Sequence, residues 1–192
     1  MHTHLMSATD TGLLVIDMQE KLLPAIPGAA AITRNIAFLL EVARMLRLTV
    51  VATEQYPKGL GATVPELAEQ LPQRYDKTAF SCCAVPEVTA TFQREARPKL
   101  LLAGIEAHVC VLHTALELVA EGFRVFVAAD AVGSRYPVDF KYALRRMEQA
   151  GIVLTTTETA AFELVGGAGT PEFKTLSKMV QERMKAMGPD PG

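Results

Sequence analysis

Five short runs of apolar and β-branched residues recur along the chain, and segments of helical period lie between most of them. Leu13-Leu-Val-Ile-Asp17 comes first, followed by Leu48-Thr-Val-Val-Ala-Thr53, Lys99-Leu-Leu-Leu-Ala-Gly104, Phe123-Arg-Val-Phe-Val-Ala-Ala-Asp130 and Ile152-Val-Leu-Thr-Thr156. Near-continuous hydrophobicity over strand length is the pattern of strands buried on both faces. Ile32, Ile36, Leu39, Leu40, Ala43 and Leu46 follow the first run at helical spacing; Leu112, Ala115, Leu116 and Val119 follow the third. Pro86 to Arg97, Pro137 to Gly151 and Thr170-Pro171 onward read as further helices. Such alternation predicts an α/β fold, a single three-layer doubly wound domain around a mainly parallel sheet. Its expected extent is 11–187, with a flexible leader at 1–10 and a frayed tail at 188–192. The Pro- and Gly-rich stretch from Glu54 to Lys77 reads as a long loop with one helical turn.

Charge and cysteine usage narrow the class. The 192 residues carry 19 Lys+Arg against 21 Asp+Glu, a net charge of −2, so no basic excess points to nucleic acid. Cys82, Cys83 and Cys110 do not make a disulfide framework, and no signal peptide precedes the domain; the expected location is the cytoplasm or an organelle matrix. No apolar run approaches the roughly 20 residues that span a bilayer, so no membrane partner is expected.

In an open parallel sheet, ligands bind beyond the carboxyl ends of the strands. Asp17, Glu54, Gln55, Gly104 to Cys110 and Asp130 lie at or just beyond expected strand ends, and Lys77 lies before Thr78-Ala-Phe80. Among them are a carboxylate, an amine and a thiol. Cys110 stands where a Gly-containing strand end meets a helix, a place that favours a thiolate, and a nearby lysine would depress its pKa further. Taken singly, a lone cysteine is packing, an aspartate at a strand end caps a turn, and a lysine is a solvated charge. The combination is what points to chemistry. Walker A, G-x-S-x-G and early G-x-G-x-x-G motifs are missing, and His2, His4, His108 and His113 have no ligand spacing, so neither a metal nor a cofactor is expected.

Three blocks in order resemble the isochorismatase-like cysteine hydrolases, the superfamily that includes nicotinamidases: Leu14-Val-Ile-Asp-Met-Gln19, Lys77-Thr-Ala-Phe-Ser81 and Gly104-Ile-Glu-Ala-His-Val-Cys110. Thr53-Glu-Gln-Tyr-Pro-Lys-Gly-Leu-Gly61 is similar to the isochorismatase domain-containing subgroup. The resemblance implies six strands in the order 3-2-1-4-5-6. It also implies Cys110 as nucleophile, Asp17 as general base and then acid, and Lys77 as the group that steadies the thiolate. Backbone N–H groups of Glu106 and Cys110 would form an oxyanion hole, with a cis peptide at Ile105–Glu106. The implied reaction is metal-independent hydrolysis of a C–N bond in a small molecule through an acyl-thioester.

Departures from the family matter too. Metal-dependent nicotinamidases carry Asp-x-His after strand 2, where this chain has Gln55 and Pro57; true isochorismatases lack the cysteine. Gln19, Gln55, Tyr56, Phe80 and His108 are candidate pocket residues, with Leu60 as a further apolar wall. Glu106 and His108 could equally bond loop backbone. Two other readings stand beside hydrolysis: a catalytically silent scaffold, and a thiol sensor in which Cys82 or Cys83 resolves oxidised Cys110. A homo-oligomer is expected, with Leu176, Met179, Val180, Met184, Met45 and Met187 as candidate interface residues.

Overall fold

The computed structural model describes residues 4–71 and 73–187. Six strands form one parallel sheet: β1 (Thr11–Ile16), β2 (Thr49–Gln55), β3 (Arg74–Lys77), β4 (Lys99–Ile105), β5 (Arg124–Gly133) and β6 (Val153–Thr155). Their order is β3-β2-β1-β4-β5-β6, as the resemblance implies. The helices are α1 (Ala29–Leu46), α2 (Pro57–Leu60), α3 (Pro65–Ala68), α4 (Pro86–Arg94), α5 (Leu112–Ala120), α6 (Pro137–Gln149), α7 (Thr157–Val165) and α8 (Pro171–Met187).

Strand pleating divides the apolar runs between two cores. Leu13 and Val15 of β1 and Leu101, Ala103 and Ile105 of β4 face α1, α7 and α8. Leu14 and Ile16, with Leu100 and Leu102, face α4, α5 and α6. That two-sided burial is why the strands read as continuous hydrophobic runs rather than alternating ones.

Several expectations are corrected. The segment Glu54–Lys77 is not one loop with one turn: it contains α2, α3 and the edge strand β3, paired with Ala52 to Gln55 of β2. Arg74-Tyr-Asp-Lys77 is polar because an edge strand keeps one side in water. The helix expected from Pro86 to Arg97 ends at Arg94, and α7 was not anticipated. Asp130 lies in a bulge of β5, where the register with β4 jumps between Leu102 and Gly104. Its carboxylate accepts from the Thr157 backbone N–H and hydroxyl at 2.8 and 2.7 Å, so this strand-end acid seats the start of α7. The expected leader is anchored over its later part. Met6 is buried in the core, its N–H donates to Glu163, and Lys99 pairs with Asp10 at 2.7 Å and with the Leu5 carbonyl. The tail 188–192 lies outside the described residues. The expected interface stripe on α8 is mostly used internally: Leu176 is fully buried, and Met179, Val180 and Met45 pack on the core, leaving Met184 exposed.

Candidate active site

β1, β2 and β3 end side by side, and β4 runs along the other edge of β1. Asp17 leaves β1 with φ 53°, a left-handed turn that aspartate tolerates, and its N–H donates to the Thr53 carbonyl at 3.1 Å. Gly104 of β4 has φ 123°, and a Cβ there would lie 2.1 Å from the Ile16 carbonyl oxygen. Only glycine lets the two main chains approach this closely, one residue before Asp17.

Lys77 crosses from the end of β3. Its Nζ donates to Asp17 Oδ2 at 2.7 Å, and neither side chain has any solvent exposure. The ammonium also donates to Gln55 Oε1 at 2.5 Å and to the Phe80 carbonyl at 3.0 Å. Burial works against its charge, but the Asp17 carboxylate that it bonds lifts the Lys77 pKa above the ordinary lysine value. Asp17 Oδ1 accepts from the Thr53 hydroxyl at 2.8 Å.

Cys110 lies on a turn of π-helix, Ala107–Val111, that runs into α5. Its Sγ is 3.9 Å from Gln55 Oε1, so one amide oxygen receives both the thiol and the Lys77 ammonium. The thiol pKa is raised, chiefly by burial and then by the Asp17 charge, with Lys77 opposing. Burial and the Asp17 charge thus work against the thiolate expected here, and Lys77 works for it. The Ile105–Glu106 peptide is cis, as expected. Val109 and Val111 both donate their backbone N–H groups to the Glu106 carbonyl.

The remaining candidates divide. Gln55 stands between Lys77 and Cys110, with its Nε2 donating to the Thr78 carbonyl. Tyr56 is exposed and, with Lys77, lines a cavity of about 320 Å³ beyond β2 and β3. Gln19 is fully buried as a clasp: its amide donates to the carbonyls of Gln55 and Gly61 and accepts from the Gln55 N–H. The Glu106 carboxylate accepts from the Arg135 backbone and guanidinium, and His108 bonds Ser134, so both side chains hold loop structure. Phe80 is exposed and meets the edge of His113 at 5.9 Å. Thr53, which contacts Asp17 directly, was not anticipated, and Cys82, expected only as a resolving thiol, reaches Asp17 through the Thr53 hydroxyl. A β-branched residue in a strand and a cysteine among apolar neighbours give no functional signal.

A metal does not fit where metal-dependent relatives bind one. Gln55 offers an amide whose oxygen faces an ammonium, and Pro57 has no donor atom.

The model of the isochorismatase domain matches residues 11–159 of this chain. The chain belongs to the isochorismatase family. Isochorismatase domain-containing protein 2 of Bos taurus is 45% identical over 173 residues, 88% of this chain and 82% of that protein. Among solved structures, the MAR1 ribonuclease from Caenorhabditis elegans superposes with a TM-score of 0.88 at 40% identity, covering 98% of this chain and 96% of that one. YcaC from Escherichia coli, described as an octameric hydrolase of unknown specificity, gives 0.85 at 24% identity, covering 98% and 100%, and shares the fold. A hydrolase role follows at family level.

Proposed function

We propose that this isochorismatase-family chain hydrolyses the C–N bond of a small amide through a thioester on Cys110. The observation that carries the reading is the buried Asp17–Lys77 pair with the Cys110 thiol bonded to the same Gln55 amide oxygen as the Lys77 ammonium. Asp17 takes the thiol proton as Sγ attacks the carbonyl carbon. The carbonyl oxygen gains charge and is met by the Glu106 and Cys110 N–H groups. As the tetrahedral intermediate collapses, Asp17 returns the proton to the departing nitrogen, which leaves as ammonia or an amine. Water, deprotonated by Asp17, then attacks the thioester; the acid leaves and the thiol is restored. Lys77, bonded to Oδ2, holds the Asp17 carboxyl group in place through both half-reactions.

The neighbours add two elements. YcaC is described as an octamer, which supports the expected homo-oligomer. The nematode protein is named a ribonuclease, but the Lys77 ammonium is committed to Asp17, Gln55 and a carbonyl, which suits a neutral carbonyl substrate better than a phosphodiester. A thiol sensor would need a resolving thiol; Cys82 is turned towards Thr53, and burial pushes Cys83 up to about 12.

The test is a panel of small primary and secondary amides, with an RNA arm, assayed for wild type and Cys110→Ala. The expected result is amide turnover that falls at least about 1,000-fold in the variant, with an acyl adduct on the Cys110 peptide by mass spectrometry. Turnover unaffected by Cys110→Ala, or RNA cleavage without amide cleavage, sinks the reading.

A further inference from the structure

Asp17 has a second side-chain partner that the reaction above does not use. Thr53 is buried on β2, and its hydroxyl meets Asp17 Oδ1 on the side of the carboxylate away from the Lys77 contact. The same hydroxyl oxygen is 3.4 Å from Cys82 Sγ. A carboxylate only accepts, so the Thr53 proton points at Asp17; in the second contact the Cys82 thiol is therefore the donor. A directed chain results, from Cys82 S–H to the Thr53 hydroxyl to Asp17 Oδ1. Both ends are pinned by main chain: the Asp17 N–H donates to the Thr53 carbonyl, and the Cys82 N–H donates to Thr114 Oγ1 at 2.9 Å. Burial, helped by Asp17, pushes the Cys82 thiol up to about 11, so it stays a donor at neutral pH.

We propose that Thr53, oriented by Cys82, is a positioning residue that sets how tightly Asp17 holds a proton. This inference rests on the reading of Asp17 as the proton carrier. A carboxylate that must accept a proton from Cys110 and release it to a leaving nitrogen has to be a moderate base. A hydrogen bond donated to its ionised form weakens it in that sense. The titratable groups facing Asp17 are Lys77 from β3, Cys110 from the π turn and Cys82 from the turn that precedes α4. Thr53 adds an uncharged donor to that set, one whose strength does not change with pH.

The test compares Thr53→Val, which keeps the shape and deletes the hydroxyl, with Thr53→Ser, which restores it, and with Cys82→Ala. Two profiles are measured against pH: kcat/KM on an amide that wild type turns over, and the rate of Cys110 alkylation by iodoacetamide, which needs no substrate. Thr53→Val is expected to move the acidic limb of both profiles up by about one pH unit, roughly a tenfold loss below the limb. On the plateau above it, alkylation should rise severalfold, because a more basic Asp17 holds the thiol proton more of the time. Thr53→Ser returns both profiles to wild type, and Cys82→Ala shifts them the same way by less. A purely structural Thr53 would lower both rates at every pH without moving the limb. That pattern, or an unmoved limb, overturns the proposal. If Thr53→Val fails to fold, the Cys82→Ala limb decides alone. Should wild type turn over no amide, the hydrolase reading fails, while the alkylation profile still decides the role of Thr53.

Discussion

Asp17 and Lys77 are both fully enclosed, so neither charge can be left without the other. Removing one partner of a buried pair strands the remaining charge in a low dielectric, at a cost of about 3–5 kcal/mol. For a domain of this size that corresponds to a melting temperature lower by about 6–20 °C. Lys77→Met is expected to fall in that range. Adding Asp17→Asn should recover more than half of the loss, with neither variant turning over substrate. Calorimetry on the two single variants and the double variant checks it, and a Lys77→Met melting point within 2 °C of wild type would refute a stranded charge. Asp17 and Cys110 could be read from the sequence because each follows a recognisable strand, whereas Lys77, on a strand without a periodic signal, was legible through the family resemblance. Their protonation could not, since it depends on how close the Asp17 charge comes to the sulfur and how much water reaches it. Gln19 illustrates the same limit. A glutamine two residues beyond a catalytic aspartate reads as a pocket group, yet its amide is fully engaged with the main chain of Gln55 and Gly61.

At the level of elements, the site depends on how closely β1 and β4 approach at Gly104. Gly104→Ala places a methyl group against the Ile16 carbonyl at a φ that alanine rarely adopts. Strain and displacement together should cost about 2–4 kcal/mol. The shifted strand end carries Asp17 away from the π turn that bears Cys110, so activity is expected to fall further than stability. A variant as stable and as active as wild type would show that the approach is not needed. The central strands were readable because burial on both faces leaves an unmistakable run of Leu, Val and Ile. β3 was not: Arg74-Tyr-Asp-Lys77 borders solvent, carries no periodic signal, and was recoverable only as an unnumbered member of a six-stranded sheet. α7 escaped because its seat is the Asp130 carboxylate in a β5 bulge, a tertiary contact that spacing along the chain does not reveal.

Across the whole molecule, the question is where the exposed apolar surface lies. α8 was the expected contact surface, but it is tied into its own domain. Arg183 donates to Asn35 Oδ1 at 2.7 Å and stacks over the Phe38 ring of α1, while Leu176 fills the core. Among the large apolar side chains that remain in solvent, three cluster at the start of α6, where Tyr136, Val138 and Tyr142 are 61%, 58% and 54% exposed. Three large apolar residues within seven positions are more than the scattered exposure an isolated domain carries, and they sit on the helix that packs against the Cys110 turn. If copies of the chain associate through this face, assembly and the site share an element. Sedimentation is then expected to give a mass at least twice the 20.8 kDa of one chain. Val138→Asp with Tyr142→Asp should reduce that mass to 20.8 kDa, because two carboxylates cannot be desolvated against their own copies. The melting point should fall with protein dilution in wild type and become independent of it in the double variant. A wild-type mass of one chain would dismiss the assembly. An unchanged mass in the double variant would move the interface away from α6.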